Sequence, residues 1–213
     1  MSVNEAWARW RASFVPDAAR TVSEVEFLTR RLPLPAFRRV LDACCGRGRH
    51  ARDLSQHGYR VLGVDLDDAA VAEASRLAPD ARFRTLDVRA LDSLDEEFDA
   101  VLSLGQTFGL FDDATNTRVL ELMRDRLRPG GRIVLDVFDR RYVEAAVTAG
   151  TGRLRISLDR GSEFEWQLYT PEEIGELAAG LGFEVLLACS GFSETAAADG
   201  TTPRFQVVLQ RRA

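Results

Sequence analysis

VLDACCGRGRH, residues 40–50, is the stretch that decides how the chain is read. An apolar run ends at Asp42, two cysteines follow, and Gly46 and Gly48 flank a single arginine. Three kinds of structure are compatible with it: a nucleotide-binding loop, a metal or redox centre, or a plain strand-to-helix turn. The cysteines argue against the second. Cys44 and Cys45 are adjacent and Cys189 is far away, so there is no Cys-x-x-Cys pair, no histidine at zinc-finger spacing and no even disulfide set. They read as reduced thiols packed beside the end of a strand, and no metal is expected.

Working outward, the apolar periodicity alternates between strand and helix. Arg39-Ala43 reads as a strand and Gly48 to His57 as a helix closed by Gly58, a C-cap residue type. Tyr59-Val64 is a second strand, Asp67-Leu77 a helix, Ala81-Leu86 a weaker third strand and Phe98-Leu104 a fourth. A helix over Thr115-Leu127 and a strand over Arg132-Phe138 complete the alternation. Beyond it, Arg153-Ser157 and Glu163-Leu168 read as a hairpin about Asp159-Arg160-Gly161. A helix then runs from Pro171 to Leu181, with Thr170 as N-cap. Phe183-Ser190 and Phe205-Gln210 are final strands joined by the polar segment Glu194-Pro203. Apolar strands separated by helices call for a mostly parallel sheet covered on both faces, an α/β class with an antiparallel end. Right-handed crossovers place every loop that follows a strand on one edge, where ligands bind. Asp42-His50, Asp65, Asp87 and Leu104-Phe111 are therefore expected on one rim.

Composition bounds the function. The chain has 213 residues, 46% hydrophobic and 29% charged, with a net charge of −5, which speaks against nucleic acid as the main partner. No apolar run approaches the roughly 20 residues that span a bilayer, and MSVNEAWARWR lacks a signal peptide's apolar core. A cytoplasmic protein with no membrane association is expected.

Gly46-Arg47-Gly48-Arg49-His50-Ala51 fits a Gly-x-Gly-x-x-Ala dinucleotide fingerprint, and Asp65 follows about 20 residues later, placed to bind ribose hydroxyls. Either a dinucleotide or another adenosine compound would satisfy both. Asp42 separates them. A pyrophosphate over the glycine turn would face its carboxylate at close range, whereas a cationic ligand would be attracted. Asp87 adds a third acid, and no lysine lies on this rim. S-adenosylmethionine carries a sulfonium, an ammonium and no phosphate.

The segments VLDACCGRGRHARDL, VLGVDLDDAAVAEA, FRTLDVRAL, FDAVLSLGQTFGLFDD and LRPGGRIVLDVF resemble a class I S-adenosylmethionine-dependent methyltransferase, in that family's order over residues 39–138. The closing GFEVLLAC and FQVVLQRR resemble its last two strands. The resemblance implies a three-layer Rossmann-like sandwich whose seven-stranded sheet has its seventh strand antiparallel, between the fifth and sixth. It implies one domain over residues 1–213, with an N-terminal helical lid (1–38) and a short cap insertion (139–170). Position by position, it implies that Asp42, Gly46 and Gly48 line the methionine portion of the cofactor, with Cys44 beside it. Asp65 would hold the ribose, Leu66 pack on adenine, Asp87 and Val88 read the adenine edge, and Leu104 lie near the methionine amino group.

The transferase reading implies a small-molecule acceptor methylated on oxygen or nitrogen. His50, in the first turn of its helix, is the candidate general base. His57 is about 10 Å further down the axis and carries no role. Gln106 is expected to orient the acceptor and Phe108 to wall the site, with Phe111 packing the next helix. Trp7, Trp10 and Phe14 form a helical stripe, with Trp10 the lid residue expected to contact substrate. The cap is short for this family, so the acceptor is either large and partly exposed or enclosed by the second subunit of a homodimer. An NAD-linked oxidoreductase, with Asp42 against it, and a non-catalytic S-adenosylmethionine-binding protein are the alternatives.

Overall fold

The computed structural model describes residues 18–146, 152–157 and 163–212. The first helix of the described residues, α1, covers Ala18–Arg31 and leads into β1 (Arg39–Ala43), α2 (Arg49–Gln56), β2 (Arg60–Asp65), α3 (Asp68–Leu77) and β3 (Arg82–Thr85). A 3₁₀ turn over Val88–Ser93 precedes β4 (Phe98–Ser103), α4 (Asp113–Asp125) and β5 (Leu127–Phe138). Then come α5 (Arg140–Ala146), β6 (Arg153–Ser157), β7 (Glu163–Gln167), α6 (Pro171–Gly180), β8 (Phe183–Ser190), β9 (Ser193–Ala197) and β10 (Arg204–Arg211).

The main sheet runs β3-β2-β1-β4-β5-β10-β8-β9. Strands β1 to β5 pair in parallel, and β10 enters antiparallel between β5 and β8. This is the expected order with one strand more. Within the segment expected to be an irregular connection, Ser193–Ala197 turns back through Gly191-Phe192 and pairs antiparallel with the end of β8. The sheet therefore has eight strands rather than seven. Glu194, on the added strand, receives guanidinium hydrogen bonds from both Arg30 and Arg31 at the end of α1. That ties the edge of the sheet to the first helix.

On the central strands β1, β2 and β4, residues are buried on both faces, as a doubly covered parallel sheet requires. On β1, Val40 packs with Phe27, Leu28 and Leu32 of α1 and Leu54 of α2, while Leu41 packs with the opposite layer of Val119, Leu120 and Met123 from α4 and Ile174 from α6. Helix starts follow local chemistry. Asp67 caps α3 by accepting from the N–H groups of Ala69 and Ala70, and Thr170 with Glu173 forms a reciprocal capping box on α6. β5 begins five residues earlier than expected, because Leu127 pairs with Phe98 across a bulge that admits Pro129-Gly130-Gly131.

The hairpin appears as β6 paired antiparallel with β7, Arg153 opposite Gln167 and Leu154 opposite Trp166; the turn residues Asp159-Arg160-Gly161 lie outside the described residues. It docks on the loop after β4. The Gln167 N–H donates to the Gly109 carbonyl at 2.8 Å, and the Trp166 indole donates to the Gln106 carbonyl at 3.1 Å. Trp7, Trp10 and Phe14, the expected lid stripe, also lie outside the described residues. Among the described residues, no helix is long and apolar enough to cross a membrane.

Gly48 shows why the fingerprint has two glycines. It sits at φ 74° as the residue before α2, and a Cβ there would lie 2.9 Å from both Ala74 of α3 and the Phe83 ring of β3. Its bare Cα lets α2 and β1 close against their neighbours. Gly46, at φ 52°, has nothing within 4 Å of where a Cβ would stand. Gly48→Ala should cost about 2–4 kcal/mol of stability, from left-handed strain and overpacking together, while Gly46→Ala should cost about 1–2 kcal/mol from strain alone. Denaturant unfolding of the two variants checks the ordering; an equal loss would contradict it.

Candidate functional site

The carboxyl ends of β1, β2 and β4 and the turns after them border a crevice in two halves. One half, of about 540 Å³, is lined by residues that include Asp42, Cys44, Gly46, His50, Leu104 and Thr107. The other, of about 360 Å³, is lined by residues that include Asp65, Leu66, Asp87, Val88, Thr107 and Phe111. Cys44 and Thr107 border both, so the halves meet at these two side chains.

Asp65 knits the turns together. One of its carboxylate oxygens accepts the Gly46 N–H at 2.8 Å and the other the Asp67 N–H at 3.0 Å. A single side chain at the tip of β2 therefore shapes the glycine turn after β1 and the entry to α3. Each oxygen keeps a second lone pair for an incoming hydroxyl. Cys44, at φ 64°, carries the chain into the turn, and burial pushes its thiol up to about 12. All three cysteines are free. Among the described residues, no group of three or more His, Cys, Asp or Glu side chains is arranged to hold a metal ion.

Asp42 is the unusual group. The residue is 2% exposed, and among the described residues one carboxylate oxygen, Oδ2, has no hydrogen-bond partner. Burial pushes its carboxyl up to about 6, against the pull of His50 and Arg49. An unpartnered carboxylate oxygen held out of water is expensive and calls for a cation. A pyrophosphate here would add like charge to an oxygen that already lacks a donor. An ammonium-bearing nucleoside fits this wall, with open space above Gly46, the diol-binding geometry at Asp65 and an apolar slot beyond it. Leu66, 67% exposed despite being apolar, forms one side of that slot with Val88 and Phe111.

The rim is less uniformly acidic than its three aspartates imply. Arg47, Arg49 and Arg52 border the first half and Arg89 the second, but each pairs with a carboxylate, Glu73, Glu24, Asp53 and Asp87 respectively. The Arg89 guanidinium holds the Asp87 carboxyl below its usual range and lies 5.0 Å from the Phe111 ring centroid.

Four sequence-based expectations change. Gly48 does not line the crevice; it serves helix–strand packing. Gln106 does not face the open space: buried, at φ 64°, it donates its side-chain amide to Asp136 at 2.9 Å. Asp136 also accepts from the Gly105 N–H, Gln206 and Arg204, so the start of the loop is anchored from beneath. Phe108 is buried in the core against Tyr169, ring centroids 5.6 Å apart, while Phe111, expected to pack a helix, borders the crevice. Sequence analysis missed Thr107, Thr21 and Glu24. A hydroxyl four residues past the end of β4 signals Thr107; nothing local signals the residues of α1. His57 lies exposed, bonded to the backbone of its own helix.

A family model described as a methyltransferase domain matches residues 40–131. The chain is 28% identical over 169 residues to the ubiquinone biosynthesis O-methyltransferase of Pseudomonas entomophila (76% of this chain, 70% of that protein). It is 26% identical over 168 residues to the glycine N-methyltransferase of Mus musculus (70% of this chain, 57% of that protein). A crystal structure of an S-adenosylmethionine-dependent methyltransferase from Clostridium acetobutylicum superposes with a TM-score of 0.75 at 15% identity, all of both chains being covered.

With Asp42 as the group that receives a cationic ligand, binding is expected to depend on pH. The free carboxyl must lose its proton, near pH 6, before it can hold a cation. Affinity for S-adenosylhomocysteine should rise with pH through 6 and then level, on the order of tenfold weaker at pH 5 than on the plateau. Calorimetric titration across pH 5–8 measures this, and Asp42→Asn should flatten the profile. An unchanged slope in that variant would assign the proton elsewhere.

Proposed function

We propose that this chain, similar to S-adenosylmethionine-dependent methyltransferases in sequence and in fold, acts as a class I enzyme of that kind, takes S-adenosylmethionine as methyl donor and methylates an oxygen or nitrogen of a small molecule. The observation that carries the cofactor half of the reading is the buried, unpartnered Asp42 oxygen beside an open glycine turn. In this reading Asp42, Cys44, Gly46 and Leu104 hold the methionine portion. Asp65 takes the ribose hydroxyls with its remaining lone pairs, and Leu66, Asp87 and Val88 enclose the adenine. Bound, the cofactor supplies a methyl group already activated by a sulfonium.

The protein's own task is then to place the acceptor, exclude water and manage one proton, worth several kcal/mol in favourable cases. A hydroxyl or ammonium acceptor must lose its proton, and His50 is the residue of the first crevice half suited to take it. Thr107, at the junction of the halves, and Thr21 of α1 supply hydroxyls for orienting a polar acceptor. A small acceptor is supported by the net charge of −5 and by two relatives named as a ubiquinone biosynthesis O-methyltransferase and a glycine N-methyltransferase.

Two experiments test this. A screen of hydroxyl- and amine-bearing metabolites for S-adenosylhomocysteine release should find acceptors among small molecules. Release only with nucleic acid or protein would overturn the acceptor class. With an acceptor in hand, His50→Ala should lower turnover by about 100-fold or more while cofactor affinity stays within a few-fold. Unchanged turnover would remove His50 from proton transfer.

A further inference from the structure

Helix α1 carries a buried acid that the cofactor site does not use. Glu24 is 1% exposed and packed against the start of α2. One of its oxygens accepts from Arg20 at 2.9 Å, and the other lies 2.8 Å from His50 Nε2 and in a close ion pair with Arg49. Thr21, one turn earlier, borders the crevice and accepts from Arg49 at 3.1 Å. A buried ion cluster contributes little stability compared with apolar packing of the same volume. This one joins the first helix to the histidine on the rim.

We infer that Glu24 is a positioning residue for methyl transfer: its carboxylate holds the Nε2–H of His50 and thereby leaves Nδ1 as the proton-accepting nitrogen at the crevice. An ionised carboxylate has only acceptor sites, so Nε2 must be the donor of the 2.8 Å contact. Burial opposes ionisation of Glu24, but hydrogen bonds from His50 and Arg49 overcome it and hold the carboxyl at about 2. Among the described residues, Nδ1 of His50 has no hydrogen-bond partner. As the acceptor's oxygen or nitrogen bonds to the methyl carbon, the carbon–sulfur electron pair stays on sulfur. The acceptor's proton passes to the Nδ1 lone pair, and the imidazolium keeps its Nε2–H on Glu24. The charged groups around His50 are Glu24 and Arg20 from α1, Arg49 from α2 and Asp42 from β1. Of these, Glu24 is the anion in contact with the ring.

The inference extends the reading of His50 as base and is tested separately from it. The chain has two histidines, so nitrogen-15 histidine labelling of the full chain, with His57→Asn for assignment, resolves both. Neutral His50 should show Nε2 protonated and Nδ1 bare, and that tautomer preference should weaken by about tenfold in Glu24→Gln. A proton on Nδ1 in the unaltered chain, or an unchanged tautomer ratio in Glu24→Gln, would overturn it. The tautomer is read in the unaltered protein, so the test stands even if the variant fails to fold. If the tautomer behaves as expected but His50→Ala keeps its turnover, the base reading fails and the positioning geometry stands.

Discussion

One uncompensated charge organises this molecule. Asp42 lies near the end of a strand buried on both faces, in the low-dielectric centre of the sheet edge, and among the described residues one of its oxygens meets no donor. Every nearby choice is consistent with leaving that oxygen for a ligand. The turn beyond it is tied by Asp65 rather than by Asp42. The neighbouring arginines are each taken up by another carboxylate, and Gly46 keeps the space above the turn clear. A folded protein retains an unsatisfied buried carboxylate only where its environment over-determines it, and in the proposed function a cationic nucleoside is the missing partner.

The second organising feature is how the loop after β4 is held. It is gripped from below by Asp136, through Gly105 and Gln106, and from the side by the β6–β7 hairpin, through Gly109 and the Gln106 carbonyl. A loop pinned at both ends presents a fixed Thr107 and Phe111 to the crevice. The short cap thus acts on the site as a brace for the loop. The added strand β9 has a comparable effect on the far side: through Glu194 it fastens the end of α1, the helix whose other residues reach the crevice as Thr21 and Glu24.

Much of the site was legible before any coordinates. Asp42, Cys44, Gly46, Asp65, Leu66, Asp87, Val88 and Leu104 all border the crevice, because a parallel sheet sends every strand's carboxyl end to one edge and the position of a strand's last residue can be read from apolar runs. What could not be read was the direction of side chains inside loops. Gln106 and Phe108 turn inward because a positive φ at Gln106 and the docked hairpin rotate the loop, and neither leaves a local signature. The family resemblance implies a ligand role for Gly48, while its tight neighbours, Ala74 and Phe83, lie 26 and 35 residues further on, in elements that the resemblance does not pack against it.

The amino-acid sequence by itself determined the layers, the strand order up to one edge and the acidic character of the rim. These follow from periodicity, turn chemistry and the handedness of crossovers, all of which act over a few residues or one supersecondary unit. Tertiary structure alone decided which acid stays unpaired and which is consumed by a turn, which aromatic faces the cavity, and that a glutamate on α1 meets the rim histidine 26 residues away. Such pairings are set by how helices and loops pack across the sheet edge. Packing depends on the shapes of all the neighbours at once, so no local stretch of the chain encodes it.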